Sequence, residues 1–469
     1  MSNKYFECLI CGKRFDSQPS AEGLCPSCGG TIVIHYDYDN LMNIISKEAF
    51  ISRRGSMWRY VELLPIPIEY SVSIDEGWTP IHKTMRLGEV FIRNLLIKNE
   101  TLNPTGSFLD RGASVVVGYA KMNRFNSIYT DTLGNLAASL AAYAARAGIK
   151  CIVQVKEVFD QTKIYQILSY GAELKLSNTL NIHKSYYIGP ANPYVLEGVK
   201  TIAFEIAEQL SWRAPDWIVI PAGNGGLLVS LWKGFWELKR LGLVNSMPKF
   251  AIAQLSSCNP IVRAIKDEKI SKCTSTIAKD IAISKPLHLR AAMKILKDGG
   301  LATSVTEEEI INSMKLLARY EGILAEPAAA TALAGLKKLV EDGIIDQGDE
   351  VVLVITGSGL KDPSIIVKSF SEYNITGLFS TKSTRLGRTK LLILKLLASA
   401  PHHGYELMKL LQIELGSKIT TTTVYQHLKE LENMGLIELV GVSRIGGKYR
   451  KLYKLTRRGE LLLKALSKE

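Results

Sequence analysis

Asn103-Pro-Thr-Gly-Ser-Phe-Leu-Asp-Arg-Gly112 is the stretch on which the fold is decided. It follows a short strand pattern at Leu95–Lys98 and leads into a helical pattern from about Phe108. Pro104 and Gly106 set a bend, and Ser107 is placed to cap the helix. The same order of strand, turn and helix recurs after 127–130, 151–155, 217–221, 250–254 and 350–356. Repeated units of this kind predict an α/β body of parallel sheets covered by helices. Such sheets bind ligands at the carboxyl ends of their strands. Two further loops fall there, Pro221-Ala-Gly-Asn-Gly-Gly226 and Thr356-Gly-Ser-Gly-Leu-Lys-Asp-Pro363. The first opens a helix, so its amides are placed to cradle a phosphate. Either loop alone is more often a plain turn.

With 469 residues the chain exceeds what one hydrophobic core serves, so several domains are expected. No apolar run reaches the roughly 18 residues of a membrane span, and residues 1–7 carry no charged-then-apolar leader. A cytoplasmic protein is expected. The net charge of +13 is unevenly distributed: residues 380–469 hold 17 Lys+Arg against 7 Glu and no Asp. A basic excess confined to the last fifth of the chain points to nucleic acid, with a solvated basic face as the plainer alternative. Residues 370–388 are rich in Ser, Thr, Gly and Lys without periodicity, which marks a linker at 371–387.

Cys8-x2-Cys11 and Cys25-x2-Cys28 supply four soft ligands, and Gly12 and Gly29 follow them where knuckle turns need a permissive backbone. A closed structural zinc site in a ribbon-like segment over residues 1–37 is the stronger reading, and a disulfide pair the weaker. Cys151, Cys258 and Cys273 read as isolated, packed thiols.

Taken together, these loops resemble the threonine synthase family of fold-type II pyridoxal-phosphate (PLP) enzymes, whose body is tryptophan synthase β-like. Asp75-Glu-Gly-Trp-Thr-Pro80 resembles that family's entry motif, and residues 103–112 resemble its Asn-Pro-Thr-Gly-Ser-Phe-Lys-Asp-Arg-Gly motif. Leu133-Gly-Asn135, Gly223–Gly226, Glu326-Pro-Ala-Ala-Ala330 and Thr356–Asp362 match in order and spacing, and a short cysteine-bearing lead segment also occurs in the family. The resemblance covers roughly residues 1–370, with the PLP fold at 60–370. It implies that Gly223, Asn224, Gly225 and Gly226 hold the cofactor phosphate, that Asn135 bonds the ring hydroxyl, and that Thr356 faces the pyridine nitrogen. It also implies a Schiff-base lysine where this chain has Leu109. Leucine can form no Schiff base and act as no acid or base. Lys98 is ordinary for the family and is not read as a substitute. Leu133 and Leu136 also depart from the family pattern, so three leucines are expected on the substrate side.

Residues 388–469 read as three helices followed by a basic hairpin, which describes a winged helix-turn-helix. Thr420–Thr423 offers hydroxyl caps for the third helix, with Val424, Leu428, Leu431 and Met434 on its buried side. Thr422, Gln426, His427 and Lys429 face outward, suited to phosphate and base-edge contacts. The hairpin carries Arg444, Lys448, Arg450 and Lys451, and a final helix is expected after Thr456. The segment resembles the PadR-like family in Pro401-His-His-Gly-Tyr-Glu-Leu, Val424-Tyr-Gln-His-Leu-Lys-Glu-Leu and Tyr453-Lys-Leu-Thr. That resemblance implies double-stranded DNA as partner and, with the PLP fold, a homodimer; a protein-interaction module is the alternative.

The combined expectation is a transcription regulator that senses PLP, another small phosphorylated ligand or an amino-acid metabolite. The competing expectation is a PLP-dependent lyase that forms threonine from O-phosphohomoserine and carries the winged helix as an accessory. The plainest is a structural body around an idle pocket.

Overall fold

The chain opens with β1 (Tyr5–Cys8), β2 (Arg14–Phe15) and β3 (Ile32–His35), an antiparallel sheet ordered β2-β1-β3. The computed structural model describes residues 4–155, 161–176, 185–270, 273–274, 276–363, 365, 388–415, 419–445, 448–457, 459–460 and 463. Two compact units divide the chain, Met1–Phe370 and Ser371–Glu469, and the three-stranded ribbon belongs to the first. The expected linker at 371–387 lies outside the described residues.

Two sheets make the body. The larger contains β4 (Ile81–Lys83), β5 (Leu95–Asn99), β10 (Trp217–Pro221), β11 (Lys249–Leu255), β12 (Leu301–Val305) and β13 (Val351–Ile355), in the order β12-β11-β10-β13-β5-β4. Every pairing is parallel except that of edge strand β4. The smaller contains β6 (Ser127–Thr130), β7 (Lys150–Val155), β8 (Glu173–Leu176) and β9 (Ser185–Tyr187), all parallel in the order β8-β7-β6-β9. β10 and β13 are buried at every position, as central strands with helices on both faces must be. The Ala-rich helix Asn135–Ala147 is buried from Asn135 to Ala144, since small side chains allow close packing on all sides.

Burial in the body extends to charge. The Arg111 guanidinium donates to both Glu100 oxygens at 2.7 Å and bridges to Glu205, and all three side chains are fully buried. Thr79 donates to Glu100 at 2.6 Å, and the Trp78 amide donates to Glu205 at 2.7 Å. Lys98 donates to the Thr79 carbonyl, Glu205 and Gln209. The residue read as ordinary for the family is thus a structural cation.

One expectation needs correction. Cys258 and Cys273 are bonded to each other, because the loop after β11 returns to its starting turn. Cys151 is a buried thiol as read, and burial pushes its pKa up to about 12.

In the second unit the helices are Arg388–Ser399, Gly404–Leu415 and Thr421–Asn433. They pack with β14 (His402–His403), β15 (Ile437–Ile445) and β16 (Lys448–Leu455), an antiparallel sheet ordered β14-β16-β15. Its core gathers Ile393, Leu407, Leu411, Val424, Leu428, Leu431 and Tyr453. The helix expected after Thr456 falls largely outside the described residues.

Arg111→Met leaves Glu100 without its cation and Glu205 with Lys98 alone, and should cost about 3–5 kcal/mol in denaturant titration of the full chain. Burial pushes the Glu205 carboxyl up, but Arg111 and Lys98 outweigh it and hold the pKa at about 2. Its stabilising contribution is therefore present above the unfolded value of about 4.3 and is lost as pH falls toward 2. Wild-type stability should decline through that window, and the Glu205→Gln variant should decline less.

Candidate functional site

Leu109 opens the helix Leu109–Met122 directly after the turn that follows β5. The helix start is held from both sides. Ser107 accepts from the Leu109 amide at 3.3 Å, but the cap position is Phe108, which gives no side-chain hydrogen bond, so the cap expected at Ser107 is corrected by one residue. Asp110 accepts from the Thr105 amide and hydroxyl. The Phe108 amide donates to the Thr356 carbonyl at 3.0 Å, and the Ser358 amide donates to the Gly106 carbonyl at 2.9 Å. The Glu326 amide donates to the Gly357 carbonyl. Three loops distant in sequence are thereby stitched together at the carboxyl ends of β5 and β13.

They enclose a cavity of about 300 Å³. Asn135, Gly223, Asn224, Gly225, Gly226 and Thr356 all line it, so every residue expected to touch the cofactor is brought to one place. Gly225 has φ +84°, a backbone that side-chain-bearing residues rarely adopt, and it caps the helix Gly226–Arg240 without a side-chain hydrogen bond. The first amides of that helix are left for an anion. Asn135 donates to Glu326 at 2.9 Å, while its Oδ1 is buried without a hydrogen-bond partner among the described residues. Burial, then Asp280, raises the pKa of Glu326. An open amide cradle and an orphaned polar atom fit a phosphorylated, hydrogen-bonding ligand such as PLP.

Leu109 and Leu136 line the cavity, but Leu133 does not: it packs against the main apolar core, because the turn before Asn135 directs it there. The expectation of three cavity leucines is corrected to two. Among the described residues three lysines surround the site. Lys279 stands exposed at the rim, and Lys163 pairs with Asp280. The Lys361 Nζ is buried without a hydrogen-bond partner, and burial lowers its pKa against the pull of Glu326. Asp280, in a short 3-10 turn without periodic signal, was not legible in the sequence.

The four sulfurs of Cys8, Cys11, Cys25 and Cys28 lie within 4.8 Å of one another. The Cys8–Cys28 and Cys11–Cys25 separations are 3.5 and 3.8 Å, close to the roughly 3.8 Å edge of a tetrahedron with Zn–S bonds of about 2.3 Å. The Ile10 amide points at the Cys8 sulfur at 3.4 Å, and Gly12 and Gly29 have φ of +70° and +67°. The donor set fits a structural zinc ion.

In the second unit Thr420 caps the helix Thr421–Asn433 by accepting from the Thr423 amide at 3.2 Å. Val424, Leu428 and Leu431 are buried, Met434 partly so, while Thr422, Gln426 and Lys429 are exposed. His427 is half-buried, 3.6 Å from Glu430. Arg450 lies over the Tyr405 ring at 4.4 Å, and Lys451 is exposed. Arg444 and Lys448 sit on β15 and β16, with side chains outside the described residues.

Residues 72–357 match the pyridoxal-phosphate dependent enzyme family, and residues 393–465 match the transcriptional regulator PadR-like family. The chain is 41% identical to the threonine synthase of Methanocaldococcus jannaschii over 385 residues, covering 78% of this chain and 95% of that one. It is 39% identical to the threonine synthase of Methanosarcina acetivorans, covering 77% and 93%. In fold it resembles the L-serine ammonia-lyase of Rhizomucor miehei, with TM-score 0.55 at 20% identity over 63% of this chain and 98% of that one. Processed threonine deaminase isoform 2 of Solanum lycopersicum also gives 0.55, at 19% identity over 67% and 92%. Cavity, loops and relatives agree: this chain belongs to the threonine synthase family of pyridoxal-phosphate dependent enzymes and carries a PadR-like domain at its C-terminal end.

Proposed function

We propose that this protein is a DNA-binding transcription regulator whose threonine synthase-type body holds a phosphorylated ligand, PLP foremost, without a covalent bond to the protein. The observation that carries the reading is Leu109 in the wall of a cavity whose phosphate cradle is otherwise complete. Gly223 to Gly226 supply the anion-binding amides, Asn135 and Thr356 supply polar contacts to a ring, and Leu109 and Leu136 supply apolar surface. PLP, when bound, supplies an electron sink for chemistry at an amino acid's α-carbon. Using that sink requires a positioned base, and the residue at 109 has no atom to hold or move a proton. Lys98 is committed to Glu205, Gln209 and the Thr79 carbonyl. The winged helix offers Thr422, Gln426 and Lys429 outward on its third helix, with Lys451 on the hairpin, in a homodimer reading a two-fold site.

A second reading, a threonine-forming lyase, is favoured by one specific observation. Among the described residues the Lys361 Nζ is buried without a hydrogen-bond partner and depressed in pKa, and its side chain packs beside Gly106 in the turn that bears Leu109.

Four outcomes are expected. Purified protein retains PLP on gel filtration, yet borohydride fixes none of it to a lysine. Leu109→Lys then acquires a borohydride-reducible linkage, read as a visible absorbance band and a mass increase on that residue. A fixed linkage to Lys361 in the wild type, with release of threonine from O-phosphohomoserine, would establish the lyase instead. PLP should also change the affinity for a selected DNA site by at least about fivefold, the lower range of allosteric coupling. Unchanged DNA affinity sinks the sensor reading. Lys429→Ala and Lys451→Ala should weaken DNA binding, each lowering the slope of log affinity against log salt by about one.

A further inference from the structure

The four-cysteine knuckle and the phosphate loop lie far apart in sequence, yet a continuous set of buried contacts joins them. Thr31, three residues past Cys28, is bound into the knuckle by its own backbone: its carbonyl accepts from the Leu9 amide at 3.0 Å. Its hydroxyl hydrogen-bonds the His288 Nδ1 at 2.9 Å, and both residues are about 1% exposed. His288 immediately precedes the helix Leu289–Lys297, and its amide donates to the carbonyl of Asn224 at 3.0 Å. The Leu287 amide donates to the Asn224 side chain at 3.3 Å. The His288 side chain also supports the glycines of the loop. A Cβ on Gly225 would stand 3.3 Å from His288 Cβ, and one on Gly226 would stand 3.5 Å from the imidazole.

Two further bonds brace the same helix against the knuckle. Arg290 donates to the Cys28 carbonyl at 2.8 Å, and Lys294 donates to the Leu9 carbonyl at 2.9 Å. The ribbon also touches the segment that carries Pro190. Gly23 backs onto Ala191, leaving no room for a Cβ, and Tyr186 donates to Gln18 at 2.7 Å. Pro190, between those contacts, lines the cavity.

From these contacts we infer that metal occupancy of the four-cysteine cluster holds the phosphate loop in its binding geometry, with Thr31 and His288 as positioning residues. The ribbon is too small for a core of its own, and a closed metal site supplies the closure that its short strands cannot. Once the four thiolates are freed from a common ion, the carbonyls of Leu9 and Cys28 and the hydroxyl of Thr31 lose their fixed places. His288 then loses its bond to Thr31 and keeps those to Asn224 and the Pro190 backbone. An amide cradle tolerates displacements of only about half an ångström before its hydrogen bonds to an anion weaken.

The inference depends on the proposed ligand only for its consequence in affinity; the geometry can be read without one. The test compares hydrogen exchange of the zinc-loaded full chain with that of chelator-stripped chain. Faster exchange is expected at 222–228 and 286–297, with the distant helix Glu307–Glu321 unchanged. Zinc-loaded Thr31→Val should reproduce the change at 222–228 with its metal retained, and Thr31→Ser should restore protection. PLP affinity, measured by equilibrium dialysis, should fall at least about fivefold in the stripped chain and in Thr31→Val. Exchange changes confined to residues 5–35 in the stripped chain, with Thr31→Val indistinguishable from wild type, would overturn the inference. If no form binds PLP, the ligand reading falls by itself and exchange at 222–228 still decides the coupling.

Discussion

The body depends on two buried carboxylates and the two cations that neutralise them, Arg111 at the centre and Lys98 beside it. Arg111 lies in the first turn of the helix begun by Leu109, Glu100 lies just past β5, and Glu205 lies in the helix Thr201–Gln209. An isolated ion in such an interior would carry a penalty of several kcal/mol, so none of the three can leave without the others. Their remaining hydrogen-bonding capacity is met by Thr79, Trp78 and Lys98, which fixes the entry motif at 75–80 against the 103–112 turn. Asn103 then accepts from the Gly77 amide at 3.1 Å. The shape of the cavity wall is thus set by charges beneath it, not by the residue at 109.

That separation explains how an apolar side chain can occupy the place where the resemblance expects a reactive amine. Leu109 contributes its amide to Ser107 and its side chain to the wall, while Asp110 and Arg111 perform the anchoring. Exchanging lysine for leucine there removes a chemical group and leaves the scaffold's electrostatics intact. Asn135, Glu326 and the glycine loop are supported by contacts that never pass through residue 109.

Much of this was legible because burial on both faces writes itself as uninterrupted apolar residues. β10 was read at its observed bounds, and β6 likewise, since each is bracketed by turn-forming residues. β4, β8, β9 and β12 were missed because they are short or mix polar and apolar residues, and the sheet context alone makes them strands. The cavity glycines were legible through spacing. Asp280 and His288 were not, because each reaches the site from an irregular segment whose path depends on tertiary packing. The Cys258–Cys273 bond was missed for the same reason: a return loop carries no periodic signal. Leu133 shows the opposite failure, a residue next to a motif that is not among those lining the cavity.

A lysine-linked cofactor stays with its protein through many turnovers, whereas a ligand held only by amides and polar contacts exchanges with its pool. Occupancy then follows concentration, which is what a sensor needs and what a catalyst avoids. Reversible binding is still insufficient for control, because a ligand with equal affinity for two states shifts nothing. Under the proposed sensor role the cavity would need two arrangements, and its loop is the part best suited to supply them. Gly223, Gly225 and Gly226 carry no side chains to lock a conformation, and their support comes from His288, Asn224 and the ribbon behind them. In the proposed regulator, a loop held from outside in this way makes the hold itself a point of control.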